Sequence, residues 1–151
     1  MRYFLCVLPL LVFSVQGFSM GAWAFEGKGT WMAEGGERGR YDIMITAMDS
    51  EGSMTVVEKY LTSENNYVFD YEIVKKGNGF GDIIKDGEVI GSGYCWKVST
   101  RGKVCHHSYT YMGKTVEKTS HLHGDDLKRM GSITIDDHPV IKFRDKLEKN
   151  D

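Results

Sequence analysis

The sequence predicts an all-β fold, an antiparallel up-and-down meander of about eight to ten strands that closes into a barrel. Three observations predict it: apolar residues recur at a period of two, turn residues follow at short intervals, and no window has a sustained apolar stripe of helical period. Without crossover helices, consecutive strands pair in antiparallel fashion. Closure removes the exposed edges of the meander, and the alternative is an open sheet or a sandwich with blunted edges.

The chain of 151 residues begins with a segment typical of a secretory signal peptide. Arg2 supplies a positive charge, Leu5 to Phe18 is almost wholly apolar, and Ala22-Trp23-Ala24 has the small-x-small pattern that signal peptidases recognise. We therefore expect residues 1–24 to be removed and residues 25–151 to form one domain, with an uncleaved anchor as the alternative. The mature protein is expected to be exported to a bacterial periplasm or the extracellular space, and to keep no stable membrane span.

The strands follow in order along the mature chain. The first mature strand starts at Phe25. Alternating runs start at Tyr41, at Tyr67 and at Ile133, and each run places its apolar residues on one face. Between the runs lie residues that tolerate positive φ or bond their own backbone. These turn signals are Ser50-Glu51-Gly52, Asn65-Asn66, Gly77-Asn78-Gly79, Asp86-Gly87, Arg101-Gly102, Gly113-Lys114, Gly124-Asp125-Asp126 and Asp136-Asp137.

Two cysteines flank the turn at Arg101-Gly102. In an oxidising compartment, Cys95 and Cys105 predict an intrachain disulfide. A regular loop over Ser99–Gly102 would set them on opposite faces, so the disulfide also predicts a bulge at Gly102. The apolar face of the first strand of this hairpin is expected to comprise Ile90, Tyr94, Trp96 and Val98.

The next hairpin is predicted to turn at Gly113-Lys114, which pairs Tyr109 with Lys118 and His107 with Ser120. This register sets His106 opposite His121 on the other face, with His123 two positions along. Imidazole suits zinc, copper or nickel, so these three histidines are a candidate metal site. The alternative is that they are ordinary residues of a solvent-exposed face. His107 lies on the tyrosine-bearing face, either as a hydrogen-bonded core histidine or as an axial ligand to haem.

The stretch Gly29-Thr30-Trp31 at the start of the first mature strand resembles the G-x-W signature of the lipocalins and their relatives in the calycin superfamily. This resemblance implies a barrel with an interior cavity, in which Trp31 closes one end and a basic residue of the last strand, Arg144, packs over its ring. The chain departs from the lipocalins by lacking a C-terminal helix. It departs from the fatty-acid-binding proteins by having only the short, glycine-rich Met32–Arg40 where they insert two helices. The pattern is closer to the helix-poor, lipocalin-like barrels of bacteria, some of which hold haem.

Charge argues against one class of partner. The chain has 19 Lys and Arg against 21 Asp and Glu, for a formal net charge of −2. Binding to nucleic acid needs a clustered excess of positive charge, so no nucleic-acid partner is expected.

The resulting hypothesis is an exported, lipocalin-like binding protein that holds a small hydrophobic or amphipathic ligand inside the barrel. The chain is expected not to be an enzyme, because it has no nucleophile elbow and no metalloprotease helix, and no helix follows its glycine-rich loop. No cofactor is expected. The alternatives are a barrel that binds haem or a divalent transition metal through strand histidines, and a non-catalytic envelope interaction protein with a filled barrel. The predicted ligand-lining residues are Tyr67, Phe69, Tyr71, Tyr94, Trp96, His107, Tyr109 and Tyr111.

Overall fold

The structure, a computed structural model, describes residues 21–135 and 138–150. Most of the predicted signal peptide and the predicted turn at Asp136-Asp137 lie outside these residues. The described chain forms ten strands: β1 (Ala22–Ala33), β2 (Arg38–Asp49), β3 (Ser53–Leu61), β4 (Asn66–Gly77), β5 (Phe80–Lys85), β6 (Glu88–Lys97), β7 (Gly102–Tyr111), β8 (Lys114–His123), β9 (Asp126–Ile135) and β10 (His138–Lys149).

Every strand pairs in antiparallel fashion with its neighbours in sequence, and β1 pairs with β10 to close the barrel. The predicted all-β meander is therefore confirmed. The β2–β3, β4–β5, β6–β7 and β8–β9 turns lie at one end, called here the disulfide end. The β1–β2, β3–β4, β5–β6 and β7–β8 turns lie at the other end, called the Trp31 end. No helix among the described residues is long and apolar enough to cross a membrane.

The strands alternate between side chains that face the interior and side chains that face solvent. Full burial of one aliphatic side chain contributes about 1.5–3 kcal/mol, so this face drives closure of the sheet. The apolar part of the interior is made by Phe25, Ile43, Ile45, Val56, Ile73, Ile83, Leu127 and Leu147, each no more than 9% exposed.

A bulge between β5 and β6 reverses the predicted faces of β6. Ile83 pairs with Gly91 and Ile84 with Val89, which leaves Ile90 as the extra residue. Beyond the bulge, Gly91 and Gly93 turn inward while Tyr94 and Trp96 turn outward, so the prediction that these two aromatic residues face the interior is wrong.

Close packing explains why glycine occupies the inner face of β6. A Cβ atom on Gly93 would lie 2.2 Å from Cδ2 of His107, and one on Gly91 would lie 2.1 Å from the carbonyl oxygen of Ser108. The inner face of β6 therefore leaves room for the larger side chains of β7.

The two hairpins that follow also differ from the predicted registers. The β6–β7 ladder runs without a shift to Lys97 opposite Lys103, so the predicted bulge at Gly102 is wrong. The β7–β8 turn lies at Met112-Gly113, whose φ angles of 50° and 73° fit the tight turn that joins twisted strands. Tyr109 consequently pairs with Val116 rather than Lys118. Because this register differs from the predicted one by two positions, the faces of the strands stay the same.

Candidate functional site

Four charged side chains meet inside the barrel. Glu58 on β3, Lys118 on β8, Arg129 on β9 and Asp145 on β10 are each no more than 4% exposed. Each occupies an inward-facing position of an alternating strand, where an apolar residue is expected. Two carboxylates and two cations balance in charge, and we call these four residues the central polar cluster.

Glu58 is the hub of the central polar cluster. It accepts hydrogen bonds from Nζ of Lys118 at 2.5 Å, from the hydroxyl of Tyr71 at 2.9 Å and from the hydroxyl of Tyr60, and Nη1 of Arg129 lies 3.0 Å away. Burial alone would raise the pKa of Glu58, but the charges of Arg129 and Lys118 outweigh it and hold this pKa well below its usual range. Glu58 is therefore a carboxylate in the folded protein.

Asp145 is the second carboxylate. It accepts from the hydroxyl of Tyr41 at 2.5 Å and from Nε of Arg129 at 3.0 Å. Burial raises the pKa of Asp145, and the guanidinium of Arg129 opposes that shift. Arg129 thus bridges both carboxylates.

Lys118 is buried among aromatic rings. Its Nζ donates to the hydroxyl of Tyr71 at 3.0 Å and lies 5.0 Å and 5.5 Å from the ring centroids of Tyr71 and Tyr109. Burial lowers the pKa of Lys118 to about 8, although Glu58 favours the charged form. The ammonium is held by one carboxylate, one phenol and two ring faces.

His107 lies opposite Lys118 on β7, facing the interior as predicted. Burial, followed by the charge of Lys118, lowers the pKa of His107 to about 3, so the ring is neutral at ordinary pH. Its Nδ1 is buried without a hydrogen-bond partner in the described part of the chain. A neutral imidazole is a suitable metal donor, but the neighbouring ammonium opposes a metal cation and the β6 wall lies against the ring, so these surroundings do not fit a metal or haem iron.

Aromatic side chains follow the central polar cluster toward the Trp31 end. The rings of Phe69 and Tyr109 stack at 5.4 Å, Phe69 and Tyr111 lie 5.6 Å apart, and Nζ of Lys85 stands about 6 Å from the rings of both Phe69 and Tyr111. Tyr67 stands at the rim, 58% exposed. We call Tyr67, Phe69, Tyr109 and Tyr111 the aromatic mouth.

A depression lies on another part of the barrel wall near the same end. Its volume is about 870 Å³, and Trp31, Gly39, Phe143 and Arg144 are among the residues that line it. The centre of the barrel, by contrast, is occupied by the side chains of the central polar cluster and its tyrosine partners.

Of the eight predicted lining residues, five lie inside the barrel, one lies at its rim and two lie on the outer wall. Tyr94 and Trp96 lie on the outer wall, at 41% and 43% exposure. Tyr67 stands at the rim. The five inside the barrel are Phe69, Tyr71, His107, Tyr109 and Tyr111.

Trp31 packs against the core near its end of the barrel, but its predicted partner does not cover it. Trp31 pairs with Phe143, and Arg144 pairs with Thr30 on the outer face. Because neighbouring residues of a strand face opposite sides, the predicted packing of Arg144 over the Trp31 ring is wrong.

The three candidate metal ligands lie on the outer wall without assembling. His106 is opposite Thr119, with Nδ1 of the histidine 3.2 Å from the threonine hydroxyl, whereas His121 is opposite Val104 and His123 opposite Gly102. Across the described ranges, no three His, Cys, Asp or Glu side chains are close enough together to hold a metal ion. The register that united these histidines was wrong because the β7–β8 turn lies at Met112-Gly113.

The predicted disulfide is confirmed. Cys95 and Cys105 are directly opposite each other on β6 and β7, with their Cα atoms 4.0 Å apart, and they are bonded. The bond lies on the same face as His107, toward the disulfide end.

Sequence reasoning missed the central polar cluster. The missed signal was a charge in the apolar phase of an alternating strand. Examples are Val56-Val57-Glu58 on β3 and Asp145-Lys146-Leu147 on β10, in which the first and third residues are buried. A charged residue in this phase is buried and needs a buried partner of opposite sign. Charged residues of both signs in this phase on several strands therefore predict that they form ion pairs inside the barrel.

Comparison with models of known protein families finds no match. No curated protein matches the sequence either. Among solved structures, the fold is similar to that of Rv2717c from M. tuberculosis, with 11% sequence identity and a TM-score of 0.58 over 87% of this chain and 92% of that one. It is also similar to the S-type phycobiliprotein lyase CPES from Guillardia theta, with 10% identity and a TM-score of 0.55 over 87% of this chain and 86% of that one.

These identities show a common fold and nothing finer. The expectation that the chain is not an enzyme is nevertheless contradicted, because one of these similar structures is described as a lyase. A closed barrel of this kind is therefore no argument against catalysis.

Proposed function

We propose that this chain is an exported, calycin-like barrel that binds a small amphipathic molecule at the aromatic mouth. The observation that carries the proposal is the placement of stacked aromatic rings directly above a buried, hydrogen-bonding cluster. Ligand sites combine apolar area with a few fixed polar groups, and the open end of a small barrel is a common place for them. The likeness to two other barrels supports the fold on which the proposal depends.

The apolar part of the ligand is assigned to the rings of the aromatic mouth. Phe69 stacks on Tyr109 and contacts Tyr111, so these rings are already held in place before binding. Preorganised rings lose little conformational freedom on binding, which favours a flat or partly aromatic ligand. Because side chains fill the centre of the barrel, the ligand would lie at the mouth instead of deep inside.

The polar part of the ligand is expected to be uncharged. The central polar cluster already pairs two carboxylates with two cations, so a further buried charge would have no partner. The hydroxyl of Tyr109 makes no side-chain hydrogen bond within the described residues. Burial raises the pKa of Tyr109, so this phenol stays protonated and can donate to a carbonyl, hydroxyl or amide group.

A binding experiment tests the site. Native mass spectrometry of the protein from its own exported compartment would identify a co-purifying molecule. In a second experiment, the protein is titrated with Nile red, a neutral, flat amphipathic dye, and binding is followed by fluorescence. Phe69→Ala and Tyr111→Ala are expected to weaken dye binding about tenfold, the effect of roughly 1.4 kcal/mol of lost contact. Tyr94→Ala removes an aromatic ring of the outer wall and is the matched control.

Two results would count against this site. One is dye binding that Phe69→Ala and Tyr111→Ala leave unchanged. The other is dye binding that Tyr94→Ala abolishes, which would move the site to the outer wall.

The export part of the proposal rests on the N-terminal segment and is compatible with the disulfide. Strand β1 begins at Ala22, so cleavage after Ala24 would shorten it to Phe25–Ala33 and leave the pairing of Phe25 with Ile45 and Lys149 in place. The intact mass of the exported protein is expected to correspond to a chain that starts at Phe25, lighter by two hydrogens for the disulfide. A mass that retains residues 1–24 would favour an uncleaved anchor.

A further inference from the structure

The depression near the Trp31 end lies on the outer wall of the barrel. Strands β1, β2, β9 and β10 each line it with three consecutive residues, of which the first and the third point outward. Among these outward side chains are four cations, Arg38 and Arg40 on β2 and Lys142 and Arg144 on β10, and no acid is among the lining residues that the structure describes. We call these four residues the basic frame. Arg144 is free to take part because it faces away from the Trp31 ring.

The strand registers set the spacing of the basic frame. Thr30 on β1 pairs with Arg40 on one side and with Arg144 on the other, and the other two members of the frame flank Met32 in the same way. Neighbouring strands lie about 4.8 Å apart, and alternate residues of one strand lie about 6.6 Å apart. The four cations therefore start from the corners of a rectangle of roughly 10 Å by 7 Å. Their side chains are long enough to contact one molecule above Thr30 and Met32.

The positive charge of the basic frame is not balanced nearby. Within residues 21–135 and 138–150, none of its four cations forms an ion pair. The next row toward the disulfide end adds Lys28, Lys146 and Lys128 side by side in register, with Asp42 as its one acid. Like charges directly opposite each other destabilise a sheet, and a bound anion would lower that cost. The whole chain has a net charge of −2, so this wall is a local concentration of positive charge.

Arginine supplies three of the four cations of the basic frame, out of six arginines in the chain. A guanidinium presents its N–H donors in a planar fork that binds two oxygens of one oxyanion at once, whereas an ammonium acts as a point charge. The forks of Arg40 and Arg144 flank the hydroxyl of Thr30, which is a further donor. This set of donors suits the oxygens of an anion, and its width suits an anion larger than a single phosphate.

We propose that the basic frame binds a soluble molecule that carries two or more linked phosphate groups. Phosphate oxygens match the arginine forks, and linked phosphates place several negative charges within one depression of about 870 Å³. A concave site encloses a small molecule, whereas the flat surface of a bilayer would contact only its rim. The site is separate from the aromatic mouth, because the basic frame faces outward and the mouth lies inside the barrel.

Isothermal titration calorimetry with sodium tripolyphosphate tests the proposal on the purified, disulfide-bonded protein at low ionic strength. Arg40→Gln/Arg144→Gln and Arg38→Gln/Lys142→Gln are each expected to weaken binding about tenfold or more, since each removes two of the four cations. Arg40→Lys/Arg144→Lys keeps the charge but removes both forks, and is expected to weaken binding about threefold. Inorganic monophosphate and citrate are each expected to bind about tenfold more weakly than tripolyphosphate, because neither presents linked phosphates to both forks.

Lys97→Gln/Lys103→Gln is the matched control. It also removes two cations, which are exposed and directly opposite each other at the end of the β6–β7 ladder, and β6 lies across the ring from β1. This control is expected to bind tripolyphosphate like the wild type. Nile red binding is expected to be unchanged in Arg40→Gln/Arg144→Gln, so failure of this site and failure of the aromatic mouth give different results.

The proposal is overturned if the wild type does not bind tripolyphosphate, if the frame and control variants lose binding equally, or if both Gln frame variants bind like the wild type. It is also overturned if monophosphate or citrate binds as tightly as tripolyphosphate. A third contrary result is binding to vesicles of phosphatidylcholine with phosphatidylglycerol that Arg40→Gln/Arg144→Gln abolishes and tripolyphosphate does not displace, because the occupant is then a lipid surface. Thermal unfolding at the wild-type midpoint would verify that the variants fold, and either Gln pair carries the test if the other does not.

Discussion

Arg129 and Asp145 lie directly opposite each other inside the barrel, and Nε of Arg129 donates to Oδ2 of Asp145 at 3.0 Å. The same guanidinium reaches Glu58, so one side chain of β9 connects carboxylates on β3 and β10. Removing one member of such a buried network leaves a charge without its partner, which costs more than the ion pair itself contributes.

Glu58→Gln is therefore expected to lower the free energy of unfolding by about 3–5 kcal/mol, measured by urea denaturation. The reason is that Lys118 and Arg129 would then share one remaining carboxylate, Asp145. Glu58→Gln/Lys118→Met restores equal numbers of positive and negative charges and is expected to be more stable than the single variant. Equal stability of the two variants would show that charge balance does not control the interior.

His107 is expected to make the fold sensitive to acid. Its pKa is about 3 in the folded protein against 6.5 for the free side chain, so below pH 6.5 the unfolded chain binds a proton that the folded chain excludes. The free energy of unfolding therefore falls as the pH drops through this window, by at most about 1.4 kcal/mol per pH unit from this residue.

His107→Leu is expected to remove that share of the slope, measured by urea denaturation at pH values between about 6 and 5. Asp145, whose pKa is raised by burial, acts in the opposite sense but is common to both proteins. Val89→Leu, at an exposed position without a titrating group, is the control and should keep the wild-type slope. A His107→Leu protein with the wild-type slope would refute the assignment.

The disulfide is expected to contribute about 2–4 kcal/mol to the free energy of unfolding, because it restricts the unfolded chain between Cys95 and Cys105. Cys95→Ala/Cys105→Ala should be less stable by that amount in urea denaturation without reductant. Wild-type protein with reductant should match the double variant. If reductant leaves the wild type unchanged although mass spectrometry confirms free thiols, the bond contributes nothing to stability.

Gly29, the first residue of the G-x-W stretch, is expected to tolerate no side chain. A Cβ atom there would lie 2.2 Å from the Tyr41 ring and 2.5 Å from Oδ1 of Asp145. Gly29→Ala should lower the free energy of unfolding by about 1–3 kcal/mol through overpacking. Gly35→Ala is the control, because no atom lies within 4 Å of the corresponding Cβ position, and thermal unfolding should separate the two variants. Equal midpoints would contradict this role of Gly29.

The strands were predictable from local information. Apolar alternation sets which side chains share a face, and glycine, asparagine and aspartate set where the chain turns. The strand registers were harder to predict from sequence. The β7–β8 register depends on a turn in which Met112 takes a positive φ, and a methionine does not indicate such a turn. A single bulged residue, Ile90, was enough to move Tyr94 and Trp96 from the interior to the outer wall.

The central polar cluster was hidden for another reason. Glu58 and Asp145 are far apart in sequence, and only closure of the barrel brings them to one arginine. The phase of each charge within its strand is readable from sequence, but which charges meet depends on the stagger of the strands around the barrel. The aromatic mouth was easier to predict because Phe69, Tyr109 and Tyr111 all follow the simple alternation.

Closure of β1 on β10 has a consequence for synthesis of the chain. All other pairings join neighbours in sequence and can form as successive hairpins, whereas this one needs the last strand. Until β10 arrives, β1 and β9 present unpaired edges to other chains, and Arg129 lacks Asp145. A chain interrupted before β10 would be an open sheet that can pair with other chains, and its inner face would carry two cations, Lys118 and Arg129, against one carboxylate, Glu58. The whole fold therefore depends on completion of the last strand.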